Sequence, residues 1–515
     1  MGVYLNPGNV DFQEVLNSKI YVDKSELIQY TNSVLRTTQK YICVSRPRRF
    51  GKSMAANMLT AYYSRGCDSR EMFQELKIAK HTDFEKHLNQ YNVIHLNMRD
   101  YLTESENMKQ LIQFVEEDLL DELQQEFADL RMPRRRTLVK ILEQAFAQYK
   151  IPFVFIIDEW DCIFRVHKSD AASQKTYLDF LRNLLKDKSY IALAYMTGIL
   201  PIKKYGEHSA INAFYEYSMT DASPIEEFTG FTEQEVRQLC EQYQMPFSET
   251  KKWYDGYCVD GVSIYNPKSV VEAMLRGKFS NYWTQTETYE ALKLYIQMNL
   301  DGLKDAVVQM LAGETVPINT GTFANDMTSF SSKDDVLTLL VHLGYLTYDS
   351  ENETVAIPNK EVSQEYINAI STMGWHEVMD AVQASRKLLQ ALWNMDADTV
   401  AQGIEQAHQE ISILQYNDEN ALSCTINLAL YFARKYYTII RELPTGKGYA
   451  DICYIPRKLY ADKPAIVVEL KWDKTAEGAI AQIKEKQYVS ALKEYRGNLL
   501  LAGINYDRET KKHYC

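Results

Sequence analysis

The stretch that decides the fold is SRPRRFGKS, from Ser45 to Ser53. It follows the β-like run KYICV and leads into the helix-like run GKSMAANMLTAYY. A strand, a tight loop and a helix in this order aim unpaired backbone N–H groups and the positive end of the helix dipole at one point. The sequence therefore predicts a phosphate-binding loop at this corner.

A second apolar run further along the chain, FVFIIDEWD, ends in Asp158 and Glu159. These residues are expected at the end of a buried parallel strand. Lys52 would then reach the β- and γ-phosphates and Ser53 would place its hydroxyl on Mg²⁺, while Asp158 holds that ion and Glu159 polarises the attacking water. The two segments together predict a P-loop nucleoside triphosphatase.

The loop departs from the usual pattern G-x-x-x-x-G-K-[ST], because Arg46 stands where glycine is expected. The alternative is an ordinary helix N-terminus with serine as its cap. The preceding strand and the later acidic pair favour the phosphate loop, and phosphate binding also accounts for its basic residues. The residues expected around the nucleotide are Arg48, Arg49, Phe50, Gly51, Lys52, Ser53 and Met54.

A third strand candidate, YIALAYMTGIL from Tyr190 to Leu200, fits the same sheet. Thr197 lies where its apolar run ends and is a candidate sensor of the γ-phosphate. The alternative is a threonine that caps a turn before Gly198. The residues alone leave both interpretations open.

Composition narrows the class of protein. The 515 residues are enough for roughly two to four domains with real cores. A net charge of −12 restricts any nucleic-acid contact to local clusters such as Arg131–Arg136, which is more simply a solvated turn. The 8 cysteines form no C-x-x-C pair, which argues against a zinc ribbon and a disulfide scaffold. No apolar run is long enough for a membrane span, so a cytoplasmic protein is the expectation.

The order of elements predicts an α/β fold with three domains. Residues 12–230 alternate short strands with helices, which implies a parallel sheet covered by helices. A capping box at Thr232 and Glu235 opens a helical lid, and 334–359 reads as a helix and two strands around the polar turn Ser350–Glu353. This winged-helix-like pattern carries few basic residues, so a packing unit that touches no DNA is favoured. The predicted domains are 1–230, 231–370 and 371–515.

The C-terminal region holds a second constellation. Asp451 is expected to open one strand, and Glu469 and Lys471 end another on one face of it. Carboxylates from two neighbouring strands beside a lysine can hold Mg²⁺ and orient a water against a phosphodiester. The alternative is a solvated Glu-x-Lys salt bridge. The later helix with Gln482 and Tyr488 strengthens the first interpretation, and Glu442 ranks lower as a further acid.

The chain resembles a bacterial AAA-ATPase-like family found beside nuclease domains. The segments that carry the resemblance are YVDKSELI, SRPRRFGKSM, FIIDEWD, MTGILPIKKY, INAFYEYSMTD and LGYLTYDSENETVAIPN. The tail resembles the PD-(D/E)XK nuclease superfamily through ELPTGKGYADICYIP, VVELKWD and AQIKEKQY, so the resemblance covers nearly the whole chain. Tyr449 is irregular, since relatives often carry arginine there.

The resemblance implies a P-loop ATPase sheet with a lid and a C-terminal restriction-endonuclease-like α/β domain. It implies ATP and Mg²⁺ at Lys52, Ser53 and Asp158, with Glu159 as hydrolytic base. In the tail, Asp451 and Glu469 would bind metal, Lys471 would stabilise the attacking water or the phosphorus, and Gln482 would support the site. An arginine finger from a neighbouring subunit is expected, which is compatible with a homo-oligomer, but no arginine can be singled out.

Three hypotheses remain open. The favoured one is an ATP-regulated nuclease acting on DNA or RNA. The second is an NTPase switch whose tail is an inactive binding or dimerising module. The third, an interaction protein with both sites decayed, is disfavoured by the intact residue sets.

Overall fold

The computed structural model describes the chain in stretches separated by short gaps. The described residues are 2–202, 212–283, 289–298, 300, 302–311, 313, 315–324, 327, 330–372, 376–410, 422, 426, 429–445, 448–485 and 498–515. The chain divides into two compact units, Met1–Lys304 with Val316–Tyr366 and Asp305–Thr315 with Ile367–Cys515.

The first unit contains a five-stranded parallel sheet. Its strands are β1 (Tyr41–Ser45), β2 (Asn92–Asn97), β3 (Phe153–Asp158), β4 (Ile191–Gly198) and β5 (Tyr215–Tyr217). Their order is β2-β3-β4-β1-β5, and every neighbouring pair is parallel. β1, β3 and β4 are buried along their whole length, which explains why each reads as a continuous apolar run.

Ten helices among the described residues belong to this part of the chain. They are α1 (Val10–Leu16), α2 (Glu26–Val34), α3 (Lys52–Tyr63), α4 (Arg70–Phe73), α5 (Phe84–His87), α6 (Met98–Glu104), α7 (Met108–Glu126), α8 (Leu138–Tyr149), α9 (Cys162–Val166) and α10 (Ala171–Leu185). On one side of the sheet, α3 buries Ala56 and Leu59 in the same core cluster as Ile42 and Val44 of β1. This packing fixes the direction in which α3 leaves the loop. The predicted parallel sheet covered by helices is confirmed.

The next segment combines helices with two small antiparallel sheets. Its elements are β6 (Phe231–Thr232), α11 (Glu233–Tyr243), α12 (Phe247–Tyr254), β7 (Tyr257–Val259), β8 (Val262–Tyr265), α13 (Pro267–Arg276), α14 (Tyr289–Ile296), α15 (Leu303–Leu311), β9 (Val316–Pro317), α16 (Lys333–Leu343), β10 (Thr347–Asp349), β11 (Thr354–Ala356) and α17 (Lys360–Thr372). The sheets run β6-β8-β7 and β10-β11-β9.

Two predictions for this segment are confirmed, and one element was missed. Thr232 and Glu235 form the capping box that opens α11. The helix α16 is followed by the hairpin β10–β11 around Ser350–Glu353. The element that the sequence analysis missed is the hairpin β7–β8, which turns at Asp260 and Gly261, both with positive φ. Asp-Gly is a typical two-residue hairpin turn, so a signal was present.

The second unit contains a mixed five-stranded sheet. Its elements are α18 (His376–Trp393), α19 (Ala397–Glu410), β12 (Tyr437–Thr445), β13 (Gly448–Pro456), β14 (Ala465–Trp472), α20 (Ala476–Glu485), β15 (Leu499–Asp507) and β16 (Lys512–Tyr514). The strands follow chain order, and β14 and β15 pair in parallel while the other neighbours are antiparallel. Asp451 does not open a strand as expected, because β13 begins at Gly448.

No helix among the described residues combines the length and the apolar character needed to cross a membrane.

Candidate functional sites

A cavity of about 760 Å³ opens where β1 gives way to α3. Its volume lies in the range of nucleotide and cofactor pockets. The phosphate loop lines one side, and apolar residues of the N-terminal segment and of α13 line the other. The residues that line it include Arg48, Arg49, Phe50, Gly51, Lys52, Ser53, Met54 and Glu159.

Lys52 is the first residue of α3, directly after Gly51. Gly51 has a φ of 84°, a conformation in which any residue with a side chain is strained. The Nζ of Lys52 donates to the carbonyl of Pro47 at 2.9 Å, so the side chain curls over its own loop. Burial lowers the pKa of Lys52, while Glu159 and Asp158 act in the opposite direction. The loop thus holds a desolvated cation whose hydrogen-bond partner is a neutral carbonyl of the same loop.

Arg46, the residue in place of the expected glycine, does not face the cavity. Its guanidinium is buried and donates to the carbonyls of Ser45 and Tyr217, each at 3.0 Å. Burial lowers the pKa of Arg46 to about 10. The loop accommodates arginine here because the side chain leaves it for the edge strand β5.

Asp158 and Glu159 lie at the end of β3 in different surroundings. Asp158 is 5% exposed and accepts hydrogen bonds from the backbone N–H of Glu159 at 3.0 Å and from the hydroxyl of Thr197. Glu159 has a φ of 54° and lines the cavity. Burial raises the pKa of Glu159, but the guanidinium of Arg165 and the ammonium of Lys52 outweigh it and hold the pKa below its ordinary value. Glu159 is therefore a carboxylate at neutral pH.

Thr197 is fully buried in β4 and lies outside the residues that line the cavity. Its hydroxyl donates to Asp158, so the structure places it behind the acidic pair. The other residues predicted for this site lie at one cavity. The loop residues and Glu159 line it, and Asp158 is next to Glu159 in the chain.

Two residues of this site were missed by the sequence analysis. Asp161 has no solvent exposure and accepts hydrogen bonds from the backbone N–H groups of Ile199 at 3.0 Å and Leu200 at 2.8 Å. Arg165 pairs with Asp161, with 3.1 Å between Nε and Oδ2, and also with Glu159. The available signal was the second aspartate of DEWD with an arginine four residues later, the spacing of neighbours on a helix.

The second site lies on β13 and β14. Ile452 pairs with Val468 in an antiparallel ladder, which sets Asp451 and Glu469 at the adjacent position. Asp451 accepts a hydrogen bond from the backbone N–H of Leu470 at 2.7 Å. The two acids therefore lie side by side on neighbouring strands, as the sequence predicts.

Glu469 is 1% exposed and receives two donors on one carboxylate oxygen. Lys471 lies 3.2 Å from Glu469 Oε1, and the amide of Gln482 on α20 donates to the same oxygen. Burial and the two carboxylates raise the pKa of Cys453 to about 12, which keeps this thiol neutral. Lys471 and Gln482 thus meet on the carboxylate of Glu469, and Asp451 lies beside it on the neighbouring strand.

The carboxylates of Asp451 and Glu469 are suited to Mg²⁺, which takes one or two carboxylates and keeps several waters. Within the described residues, no group of three or more histidine, cysteine or acidic side chains could hold a metal ion. Two carboxylates are a donor set that suits Mg²⁺ better than a transition metal, which takes softer nitrogen and sulfur ligands. The side chain of Glu442 and the residue Tyr488 lie outside the described part.

Two segments of the chain match known family models. Residues 8–206 match the AAA-ATPase-like family, described as predicted AAA-ATPase, and residues 418–514 match the PD-(D/E)XK nuclease superfamily. The chain joins an AAA-ATPase-like domain to a PD-(D/E)XK nuclease-superfamily domain. The resemblance stated from the sequence is confirmed in both parts.

One curated relative of this chain is an "Uncharacterized protein in vnfD 5'region" from Azotobacter chroococcum mcd 1. The two are 24% identical over 256 residues, which cover 48% of this chain and 47% of the relative. The chain thus spans about half the length of that relative.

Among solved structures, the Aeropyrum pernix ORC2 protein in its ADPNP-ADP complexes has a TM-score of 0.29 and 13% identity, over 69% of this chain and 97% of that one. AMPPCP-bound DnaA from Aquifex aeolicus has a TM-score of 0.24 and 8% identity, over 71% and 94%. The fold assignment of the AAA-ATPase-like domain rests on its own strand order and loop and not on these likenesses.

Proposed function

We propose that this chain binds and hydrolyses ATP in its AAA-ATPase-like domain and that this activity is coupled to a metal-dependent phosphodiesterase in its nuclease-superfamily domain. The observation that carries the proposal is the convergence of Lys52 and Glu159 on one nucleotide-sized cavity. The domain limits proposed are 1–230 for the ATPase, 231–370 for the lid and winged-helix-like region and 371–515 for the nuclease.

In the ATPase site, the chain's own residues supply charge and orientation. The N–H groups at the start of α3 and the ammonium of Lys52 bind the triphosphate, which replaces the carbonyl of Pro47 as partner of Lys52. Mg²⁺, when bound there, would neutralise part of the charge of the triphosphate. The hydroxyl of Ser53 and the carboxylate of Asp158 are the groups that would hold it, and Glu159 would accept the proton of the attacking water.

In the nuclease domain, Asp451 and Glu469 are the groups that would hold Mg²⁺. Lys471 stabilises negative charge on the attacking water or on the phosphorus centre. Gln482 fixes one oxygen of Glu469 and leaves the ammonium of Lys471 able to turn towards substrate. The substrate class is a nucleic-acid phosphodiester, DNA or RNA.

Nucleotide titration tests the first half of the proposal. Lys52→Ala is expected to weaken binding of a fluorescent ATP analogue at least about tenfold, because a charged hydrogen bond to phosphate contributes 1.5–3 kcal/mol. Lys140→Ala is the matched control, since Lys140 lies on α8 and pairs only with Glu143 among the described residues. Equal affinity for the Lys52→Ala variant and the wild type would show that the cavity is not the nucleotide site.

Nuclease assays test the second half. The purified protein is incubated with Mg²⁺ or Mn²⁺ and with linear, circular and single-stranded DNA and with RNA, with and without ATP. Glu469→Ala is expected to abolish cleavage, whereas Glu477→Gln, an exposed acid at the start of α20, leaves it intact. Cleavage that persists in Glu469→Ala belongs to another protein or another site.

A second candidate function is an ATPase switch with an inactive C-terminal binding or dimerising module. The observation that favours it is the pairing of Glu469 with Lys471, which neutralises the buried carboxylate without a metal. Isothermal titration with Mn²⁺ separates the two. Binding that Asp451→Asn abolishes supports the nuclease, and absence of binding supports the switch, whose oligomeric state would then be measured with and without ATP.

A further inference from the structure

Arg165 is a largely buried charged residue beside the ATPase site, and the proposed reaction does not use it. Its side chain is 11% exposed, and it pairs with both Glu159 and Asp161. Glu159 lines the cavity, while Arg165 is absent from the described residues that line it. The guanidinium therefore contacts the Glu159 carboxylate without itself lining the cavity.

The other side of Arg165 is anchored to the rigid part of the sheet. Asp161 has no solvent exposure and is fixed by the amides of Ile199 and Leu200, which directly follow β4. A Cβ added to Gly198 would lie 2.8 Å from the carboxylate of Asp161, so Asp161 packs closely against the end of β4. The backbone after β4 thus fixes Asp161 by hydrogen bonds, and Asp161 fixes Arg165 by an ion pair.

The side chain of Glu159 needs a partner that fixes the direction of its carboxylate. With a φ of 54°, Glu159 lies in the left-handed region, on a tight turn between β3 and α9. A glutamate has three side-chain torsions, and its carboxylate has to lie within hydrogen-bond distance of the attacking water to act as a base. A planar guanidinium with several donors fixes a carboxylate in direction as well as in distance, whereas an ammonium fixes only distance.

We propose that Arg165 is a positioning residue, which transmits the rigidity of the β4 end through Asp161 and holds the Glu159 carboxylate in the direction needed to orient water for ATP hydrolysis. This inference rests on the proposed function. It assigns to Arg165 an effect on turnover that is exerted only through Glu159, with no contribution to nucleotide affinity.

The test compares four variants: Arg165→Gln, Arg165→Lys, Glu159→Gln and the double variant Arg165→Gln/Glu159→Gln. We expect Arg165→Gln to lower kcat about tenfold to hundredfold, as a misplacement of about 1 Å does. KM and the dissociation constant of a fluorescent ATP analogue stay within about twofold. Arg165→Lys recovers part of kcat. The double variant has the kcat of Glu159→Gln alone, because the two residues act as one unit.

Arg182→Gln, an exposed arginine on α10, is the matched control and is expected to match the wild type. Thermal unfolding of each variant reports folding, and Arg165→Lys retains the charge beside Asp161 if Arg165→Gln does not fold. A kcat of Arg165→Gln equal to or above that of the wild type overturns the assignment. So does a further loss in the double variant, which would mean direct action on the phosphate. A wild-type protein that does not turn over ATP overturns the proposed function and this inference with it.

Discussion

The ring of Phe50 lies edge-on against the ring of Tyr257, with 5.3 Å between the centroids and 85° between the planes. The carbonyl of Phe50 also accepts a hydrogen bond from Gly230 at 2.9 Å. The phosphate loop is therefore bound by a side chain and by its backbone to the segment that follows the parallel sheet. This anchoring explains how a loop with few glycines keeps its conformation.

Phe50→Ala is expected to lower the free energy of unfolding by about 3–5 kcal/mol, since Phe50 has no solvent exposure and its removal leaves a cavity. Urea denaturation followed by tryptophan fluorescence measures the change. Met54→Ala, a neighbour in the same loop-to-helix corner with a 42% exposed side chain, is the control and is expected to change it by less than about 1 kcal/mol. Similar values for the two variants would contradict the role assigned to the Phe50 ring.

The hydrogen bond from Thr197 to Asp158 leads to a prediction about Mg²⁺. Thr197→Val removes the donor and is expected to raise the Mg²⁺ concentration for half-maximal ATP hydrolysis about 10–100-fold, because such supporting contacts orient a metal ligand. Thr197→Ser keeps the hydroxyl and is the control. A lower kcat without a change in the Mg²⁺ requirement would instead favour Thr197 as a γ-phosphate sensor.

The sequence was most informative where chemistry and position are local. β1, β3 and β4 are buried on both faces and read as apolar runs, and the acids at the end of β3 follow from that assignment. Glu469 and Lys471 could be predicted to lie on the same face of their strand, because side chains alternate between the two faces. These features need only the residues within one element.

The remaining features depend on contacts between distant segments. The loop contains three arginines, which the sequence alone does not distinguish. Arg46 points away from the cavity because its guanidinium donates to the carbonyl of Tyr217 on β5. The partners of Asp161 follow a different strand, β4. No local pattern identifies such partners, whereas the turn at Asp260 and Gly261 was a local signal that went unused.

Gln482 is expected to control the metal affinity of the nuclease site. Gln482→Ala removes the amide donor to Glu469 and is expected to lower cleavage about 10–100-fold, with a higher Mn²⁺ requirement, because the carboxylate loses its fixed orientation. Gln402→Ala, on the exposed side of α19, is the control. Full cleavage activity in Gln482→Ala at limiting Mn²⁺ would show that Glu469 does not need this support.

The buried carboxyl group of Glu361, in the first unit, is expected to make the free energy of unfolding depend on pH. It is 2% exposed and accepts hydrogen bonds from the hydroxyl of Ser269 at 2.8 Å and from the backbone N–H groups of Tyr282 at 2.7 Å and Trp283 at 2.9 Å. Burial raises the pKa of Glu361 to about 7, although these donors oppose the shift. The folded protein thus keeps a proton that the unfolded chain releases.

A raised pKa contributes stability that is fully present below the ordinary glutamate pKa of 4.5 and is lost as the pH rises through about 7. From pH 5 to pH 8, the free energy of unfolding of the wild type should therefore fall relative to Glu361→Gln, by an amount on the order of 3 kcal/mol. Glutamine keeps an acceptor for the same donors but does not titrate. Urea denaturation across this range measures both proteins, with Glu351→Gln in the exposed β10–β11 turn as the control that follows the wild type. Parallel curves for wild type and Glu361→Gln would mean that Glu361 is already ionised in the folded protein at pH 5.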